Sequence, residues 1–200
     1  MPSFYVRRGK RCFDCVAAGA GVLILSPVFL ILAVAVKLSS KGPVLYRQAR
    51  VGQHFQPFTM LKFRSMVVNN EHHHSLVTSA TDARITPVGA FLRRFKLDEL
   101  PQLLNVIMGH MSLVGPRPEV MRYVRHFQLD YAGICRIKPG ITDNAAIAYK
   151  DEGALLAAHE NVEDAYIQHV LPEKIKLYHA YMANITFVGD LRLILTTIFC

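Results

Sequence analysis

Two hundred residues, 52% of them hydrophobic, suffice for one domain with a real core. Four cysteines, at positions 12, 15, 135 and 200, exclude a disulfide framework and point to reduced thiols in a cytoplasmic domain. A formal net charge of +8 asks for an anionic partner: nucleic acid, lipid headgroups or phosphorylated small molecules.

The first element is an apolar run, 16–36, of 21 positions without a charge. It favours lipid and phosphorylated small molecules over nucleic acid, and no aromatics interleave with a basic stripe. As a helix the run spans roughly 30 Å, near the thickness of a bilayer core. No small-residue cleavage site closes it and Lys37 follows, so it is not a signal peptide. Cys12 and Cys15 form a C-x-x-C without the strand-to-helix context of a redox pair, and read as thiols on one helix face. Arg7, Arg8, Lys10 and Arg11 precede the run; Lys37, Lys41, Arg47 and Arg50 follow it. Positive charge prefers the cytoplasmic side, so a simple span satisfies only one flank. Ser26-Pro27 stands mid-run, where proline removes a backbone donor and kinks a helix. Two readings stand. One is a re-entrant helix that keeps both flanks cytoplasmic, the Ser26 hydroxyl serving freed backbone. The other is an ordinary kinked transmembrane helix.

Gly42-Pro43 marks a turn, and 44–50 and 58–66 read as two strands of a hairpin around Gly52-Gln53-His54. Lys62 and Arg64 alternate in the second strand, which predicts one shared sheet face. Residues 69–81 are polar and read as a loop. Its consecutive His72, His73 and His74 share no face and lack a carboxylate or cysteine pattern, so a solvated loop is favoured over a metal site. Thr86 caps a short helix opened by Pro87 and carrying Arg93 and Arg94. Leu100, Leu103, Leu104, Ile107 and Met108 predict a helix ended by Gly109, with Asp98 as its cap. Val120, Tyr123, Val124 and Phe127 repeat that spacing; further helices start near Asn161 and Pro172, and 190–199 is a final apolar helix. No repeat, low-complexity tract or linker divides the chain.

Asp98 and Glu99 stand side by side among Arg93, Arg94 and Lys96. The cations and the positive end of a helix should hold both carboxylates ionised and attract phosphate. Ordinary helix capping explains such a pair. So does a carboxylate nucleophile attacking a phosphoryl group, with a divalent metal bridging carboxylate and phosphate oxygens. A second stretch favours the latter. Gly115-Pro116-Arg117-Pro118 braces one arginine between two prolines, presenting a planar fork on a rigid backbone.

These stretches together resemble the monotopic polyprenyl-phosphate phosphoglycosyl transferases, the bacterial sugar transferase family. The resemblance runs from the basic start and its Ser26-Pro27 break through Lys62-Phe63-Arg64-Ser65-Met66 and Leu97-Asp98-Glu99-Leu100-Pro101-Gln102. It continues through 111–118 and Lys138-Pro139-Gly140-Ile141-Thr142 to Asp190-Leu191. It implies an α+β fold, mostly helical with a short β-hairpin, an N-terminal re-entrant membrane helix broken at Ser26-Pro27, and amphipathic helices at the membrane interface. Residues 1–40 would be the membrane-inserted part and 41–200 one integrated catalytic domain on the cytoplasmic face of a bacterial inner membrane. The implied reaction moves a phospho-sugar from a UDP-sugar to undecaprenyl phosphate and releases UMP, as the first membrane step toward an O-antigen, capsule, exopolysaccharide or glycoprotein glycan.

In that resemblance Asp98 is the nucleophile, forming a phospho-sugar aspartyl intermediate, and it also ligates Mg²⁺. Glu99 activates or positions the lipid phosphate. Lys62, Arg64, Arg94 and Arg117 are the expected phosphate contacts. UDP-sugar, undecaprenyl phosphate and membrane lipids are the expected partners, nucleic acid is not, and a homodimer is compatible with the chain. The chain departs from the family pattern at His110, where Asp is usual, and after Thr142, where Asp143-Asn144-Ala145 and then Lys150-Asp151-Glu152 stand. A glycosyltransferase releasing UDP and a non-enzymatic, membrane-anchored lipid-binding protein are the competing readings.

Overall fold

The computed structural model describes residues 5–68, 82–159 and 161–199. The predicted loop at 69–81, with its three histidines, lies outside them. The fold is α+β and mostly helical, as expected.

A π-helical turn, Tyr5–Gly9, leads into α1 (Lys10–Ile24), and α2 (Ser26–Ser39) follows after a break at Leu25. No single described helix is long and apolar enough to cross a membrane; α1 and α2 reach that length only as a pair, bent by 63°. The bend has a local cause. Pro27 has no amide to give to Leu23, four residues back, and the Ser26 hydroxyl donates to that carbonyl instead, at 2.8 Å. Phe29 returns to the helical pattern by donating to Leu25 at 2.9 Å.

Strands β1 (Leu45–Val51) and β2 (Pro57–Phe63) form the expected antiparallel hairpin, in register from Leu45 opposite Phe63 to Val51 opposite Pro57. The connection is a tight turn in which His54 and Phe55 both take positive φ, at 54° and 60°. Helix α3 (Pro87–Arg94) starts as predicted, the Thr86 hydroxyl accepting the Gly89 amide at 2.9 Å. A one-turn 3₁₀ helix, Leu97–Glu99, precedes α4 (Gln102–Ile107). The predicted helix from 100 capped by Asp98 is therefore corrected: α4 begins after Pro101 and no side chain caps it. Lys96, with φ of 54°, interrupts the helical path between α3 and the 3₁₀ turn.

A second, parallel pair joins β3 (Ser112–Val114) to β4 (Gly140–Thr142). The sequence periodicity gave no hint of strands this short. They approach so closely because glycine stands directly after β3, at Gly115, and opens β4, at Gly140. A Cβ on Gly140 would lie 2.1 Å from the Gly115 nitrogen, and one on Gly115 would lie 2.7 Å from the Lys138 carbonyl oxygen. The C-terminal half is helical: α5 (Met121–His126), α6 (Gln128–Ile134), α7 (Asn144–Ala148), α8 (Glu152–Ala157), α9 (Val162–Ala165), α10 (Leu171–Ala183) and α11 (Phe187–Phe199). The largest apolar core lies there, around Tyr123, Val124, Leu156, Leu171 and Tyr178. Two smaller clusters tie the bent pair to the rest. Ala18 of α1 packs with Met60, Val106 and Met111, and Leu32 and Val36 of α2 pack with Phe63 and Leu92.

Charge also fixes α1. Asp14, 2% exposed, accepts the Leu113 amide at 3.0 Å, and Arg11 donates to the Val106 and Ile107 carbonyls at the end of α4. Asp190, fully buried in α11, accepts from Lys10, from the Tyr5 hydroxyl at 2.6 Å and from the Tyr181 hydroxyl at 2.8 Å. Asp190→Ala leaves a half-buried cation and two hydroxyls without their shared acceptor. It should cost about 3–5 kcal/mol, whereas Asp190→Asn keeps an acceptor and should cost about 1–2 kcal/mol. Thermal unfolding of the full chain measures both.

Candidate active site

Asp98 and Glu99 sit in a 3₁₀ turn that packs against β2, so Lys62 on that strand faces them. The strand is pinned by a residue the sequence reading passed over. Asn105 of α4 is fully buried, accepts the Leu61 amide at 2.9 Å and donates to the Thr59 carbonyl at 2.8 Å. An asparagine set among the leucines, valine and isoleucine of a short helix was the available signal. The third partner, Arg117, comes from the loop after β3. That loop is held by the Gly140 amide donating to the Pro116 carbonyl at 2.9 Å and the Gly115 amide donating to the Thr142 carbonyl at 3.0 Å.

The three segments meet at Glu99. Lys62 Nζ lies 2.7 Å from Glu99 Oε1. Arg117 grips the same carboxylate with both terminal nitrogens, one to Oε1 and the other to Oε2 at 3.3 Å. Burial pushes the Glu99 carboxyl up, but Arg117 and Lys62 outweigh it and hold the group well below the usual carboxylate range. In turn Glu99 holds the Arg117 guanidinium firmly protonated, while burial draws Lys62 down from its ordinary value. Glu99 is ionised here, as the sequence suggested.

Asp98 differs from its neighbour. It is 8% exposed and no side-chain hydrogen bond engages its carboxylate among the described residues. Burial pushes it up, Glu99 adds to that push, and Lys62, Arg93 and Arg117 oppose it. The site is thus one carboxylate locked between two cations and one left uncommitted beside them. Such an arrangement can accept an anionic ligand on Lys62 and Arg117 while presenting a bare carboxylate oxygen to it.

Four of the expected residues come together: Asp98, Glu99, Lys62 and Arg117. Two do not. Arg64 is 4% exposed, and its guanidinium donates to the carbonyls of Ser40 at 2.7 Å, Lys41 at 3.0 Å and Val36 at 3.3 Å. It closes the end of α2 over Gly42, whose φ is 127° and whose absent Cβ would lie 2.2 Å from Arg64 Nη1. It does not share Lys62's face because β2 ends at Phe63. Arg94 is exposed and lies over the Phe95 ring at 5.6 Å. Its neighbour Arg93 is the α3 cation that acts on Asp98. His110, the departure after Gly109, is exposed with its ring 5.9 Å from that of Phe58.

Comparison with known proteins places the chain in a family. The model of the family described as bacterial sugar transferase matches residues 5–200. The chain is 47% identical over 144 residues to the UDP-glucose:undecaprenyl-phosphate glucose-1-phosphate transferase of Escherichia coli (strain K12), covering 69% of this chain and 30% of that protein. It is 41% identical over 143 residues to the UDP-N-acetylgalactosamine-undecaprenyl-phosphate N-acetylgalactosaminephosphotransferase of Aeromonas hydrophila, covering 70% of this chain and 34% of that protein. Over 201 aligned positions it is 34% identical to the UDP-glucose:undecaprenyl-phosphate glucose-1-phosphate transferase of Caulobacter vibrioides, covering 99% of this chain and 71% of that protein. The chain thus spans about a third of the length of the first two relatives. With the family model matched across nearly its whole length and the dyad facing its two cations, this chain belongs to the bacterial sugar transferase family.

Proposed function

We propose that the protein transfers a sugar 1-phosphate from a UDP-sugar to undecaprenyl phosphate, releasing UMP, in the synthesis of a bacterial polysaccharide or related glycoconjugate. The observation that carries this reading is the unequal dyad: Glu99 clamped by Lys62 and Arg117, and Asp98 beside it without a hydrogen bond. The activities for which the relatives are named supply the substrate class. They name different sugars, so the sugar is left unassigned.

In the proposed course, a carboxylate oxygen of Asp98 bonds to the sugar-bearing phosphorus of the donor. The bond from that phosphorus to the bridging oxygen breaks, and UMP leaves with the electron pair. A terminal oxygen of undecaprenyl phosphate then bonds to the same phosphorus, and the bond to Asp98 breaks and restores the carboxylate. Lys62 and Arg117 hold the phosphate oxygens through both steps. As phosphate takes up these cations, Glu99 is freed to orient the lipid phosphate or accept its proton.

Mg²⁺ is ordinarily bound by one or two carboxylates together with substrate phosphates and water. Among the described residues no group of three or more His, Cys, Asp or Glu stands ready for a metal, and Glu99 is taken by two cations. The uncommitted Asp98 is therefore the residue fitted to meet a Mg²⁺ arriving with the donor diphosphate. When bound, that ion supplies neutralising charge for the phosphate oxygens.

The bent pair supports membrane re-entry on the cytoplasmic face. Both its ends are tied to the same body, α1 through Lys10, Arg11 and Asp14, and α2 through Arg64. Leu23, Ile24, Leu30, Ile31, Val34 and Leu38 are exposed near the bend and beyond it, as a lipid-embedded hairpin of helices requires.

Two measurements test this reading. Purified protein with undecaprenyl phosphate, Mg²⁺ and a panel of UDP-sugars should release UMP only when lipid is present; UDP in place of UMP would mean plain glycosyl transfer. Asp98→Asn removes no hydrogen bond, so its melting temperature should stay within about 2 °C of wild type, while turnover should fall by at least about 10³-fold. Retained turnover in that variant rules out the aspartyl intermediate. For topology, cysteines placed in each flank of the bent pair should resist an impermeant thiol reagent applied from the periplasm. Labelling at either flank would exclude re-entry.

A further inference from the structure

Arg117 has an inner side as well as a site side. Its terminal nitrogens grip Glu99, yet two further buried carboxylates, Asp143 and Glu119, also act on it. These two are not equivalent. Both oxygens of Glu119 are taken, Oε2 by Arg50 at 3.2 Å and Oε1 by the Tyr166 hydroxyl at 2.5 Å. Asp143 is 1% exposed and its Oδ1 accepts the Ala146 amide at 2.8 Å, capping α7. Its Oδ2 is buried with no hydrogen-bond partner among the described residues.

An unpaired buried carboxylate oxygen is costly. Burial pushes the Asp143 carboxyl up; the Ala146 amide, Arg117 and Lys174 pull against it. Lys174 is itself committed, paired with Glu152 and lying 5.0 Å from the centre of the Tyr166 ring. The backbone brings position 143 beside the loop that carries Arg117. The amide of Gly115 donates to the carbonyl of Thr142, and the glycine contact between 115 and 140 lets the two loops meet. Position 143 therefore follows directly on the residue that anchors the arginine loop.

We propose that Asp143 is a positioning residue for Arg117, its uncommitted Oδ2 holding the guanidinium in the site from the inner side when substrate phosphate draws the fork away from Glu99. The proposal rests on the reading of Arg117 as the phosphate-binding arginine. The prolines at 116 and 118 fix the loop backbone, but a guanidinium on four rotatable bonds needs a second anchor once Glu99 has released it. Of the two inner carboxylates only Asp143 has an oxygen to offer.

The charge of Asp143 can be separated from its cap. Asn and Ser are good helix caps, so Asp143→Asn and Asp143→Ser should change the melting temperature by no more than about 2–4 °C. Both should lower kcat by roughly 10-fold or more, with donor KM moving by less than about 3-fold. In the full chain in detergent micelles, the ¹⁵Nε–¹Hε resonance of Arg117, assigned by its loss in Arg117→Lys, should shift or broaden in both variants. A purely capping role would move neither kcat nor that resonance. Wild-type turnover in the variants, an unmoved resonance, or unfolding of both variants would each overturn the proposal. If the wild-type chain turns over no donor, the proposed reaction fails, and the Arg117 resonance alone decides the role of Asp143.

Discussion

One carboxylate shared between two cations organises the site. Glu99 is reached by Lys62 from a strand, by Arg117 from a loop after a second strand, and is itself carried on a 3₁₀ turn. At an effective dielectric of about 20, unit charges about 4 Å apart attract by roughly 4 kcal/mol. Taking them out of water consumes much of that gain. The contact is therefore better understood as a placement device than as a source of stability. Each arm has its own backbone fixture. Asn105 pins β2 behind Lys62, the left-handed Lys96 turns the chain into the dyad, and the contact of Gly115 with Gly140 sets Arg117.

Asp98, Glu99, Lys62 and Arg117 were legible in the sequence because charge and proline are concentrated there in short, unusual strings. What the strings did not show is where the other cations in them point. Arg64 stands two residues from Lys62 and is chemically as able to hold phosphate. Its direction is set by where α2 ends, and three helix-terminal carbonyls there require a donor. Arg93 and Arg94 are adjacent on a helix, where one step rotates a side chain by about 100°. Only packing decides which of them faces Asp98. The expected Asp98 cap failed for a similar reason. Local capping rules favoured it, but the dyad turn is wound as 3₁₀ and Pro101 intervenes before α4.

The basic N-terminal flank shows the same limit more sharply. By composition Lys10 and Arg11 look like membrane-flanking charges. In the fold they are structural, one buried against Asp190 and the other closing α4. The break at Ser26-Pro27 was legible because its cause is local: proline lacks a donor and serine supplies one. Sequence reasoning thus reached the bend and missed the clasp. The bend depends on neighbouring residues, whereas the clasp joins positions separated by 180 residues.

The charges at the dyad also constrain where selectivity resides. Lysine and arginine read phosphate oxygens, and a phosphate looks the same whichever sugar it carries. Relatives named for glucose and for N-acetylgalactosamine are about equally similar to this chain over nearly the same span. Relatives so alike that carry different sugars must discriminate through polar groups matched to hydroxyl patterns. Unpaired polar groups, unlike extra methylenes, reject a wrong partner strongly. The segment after Thr142 departs from the family pattern, yet its first residue, Asp143, is buried and its carboxyl is influenced by the charge of Arg117. A substitution there would therefore also act on Arg117, through the charge of one buried carboxylate.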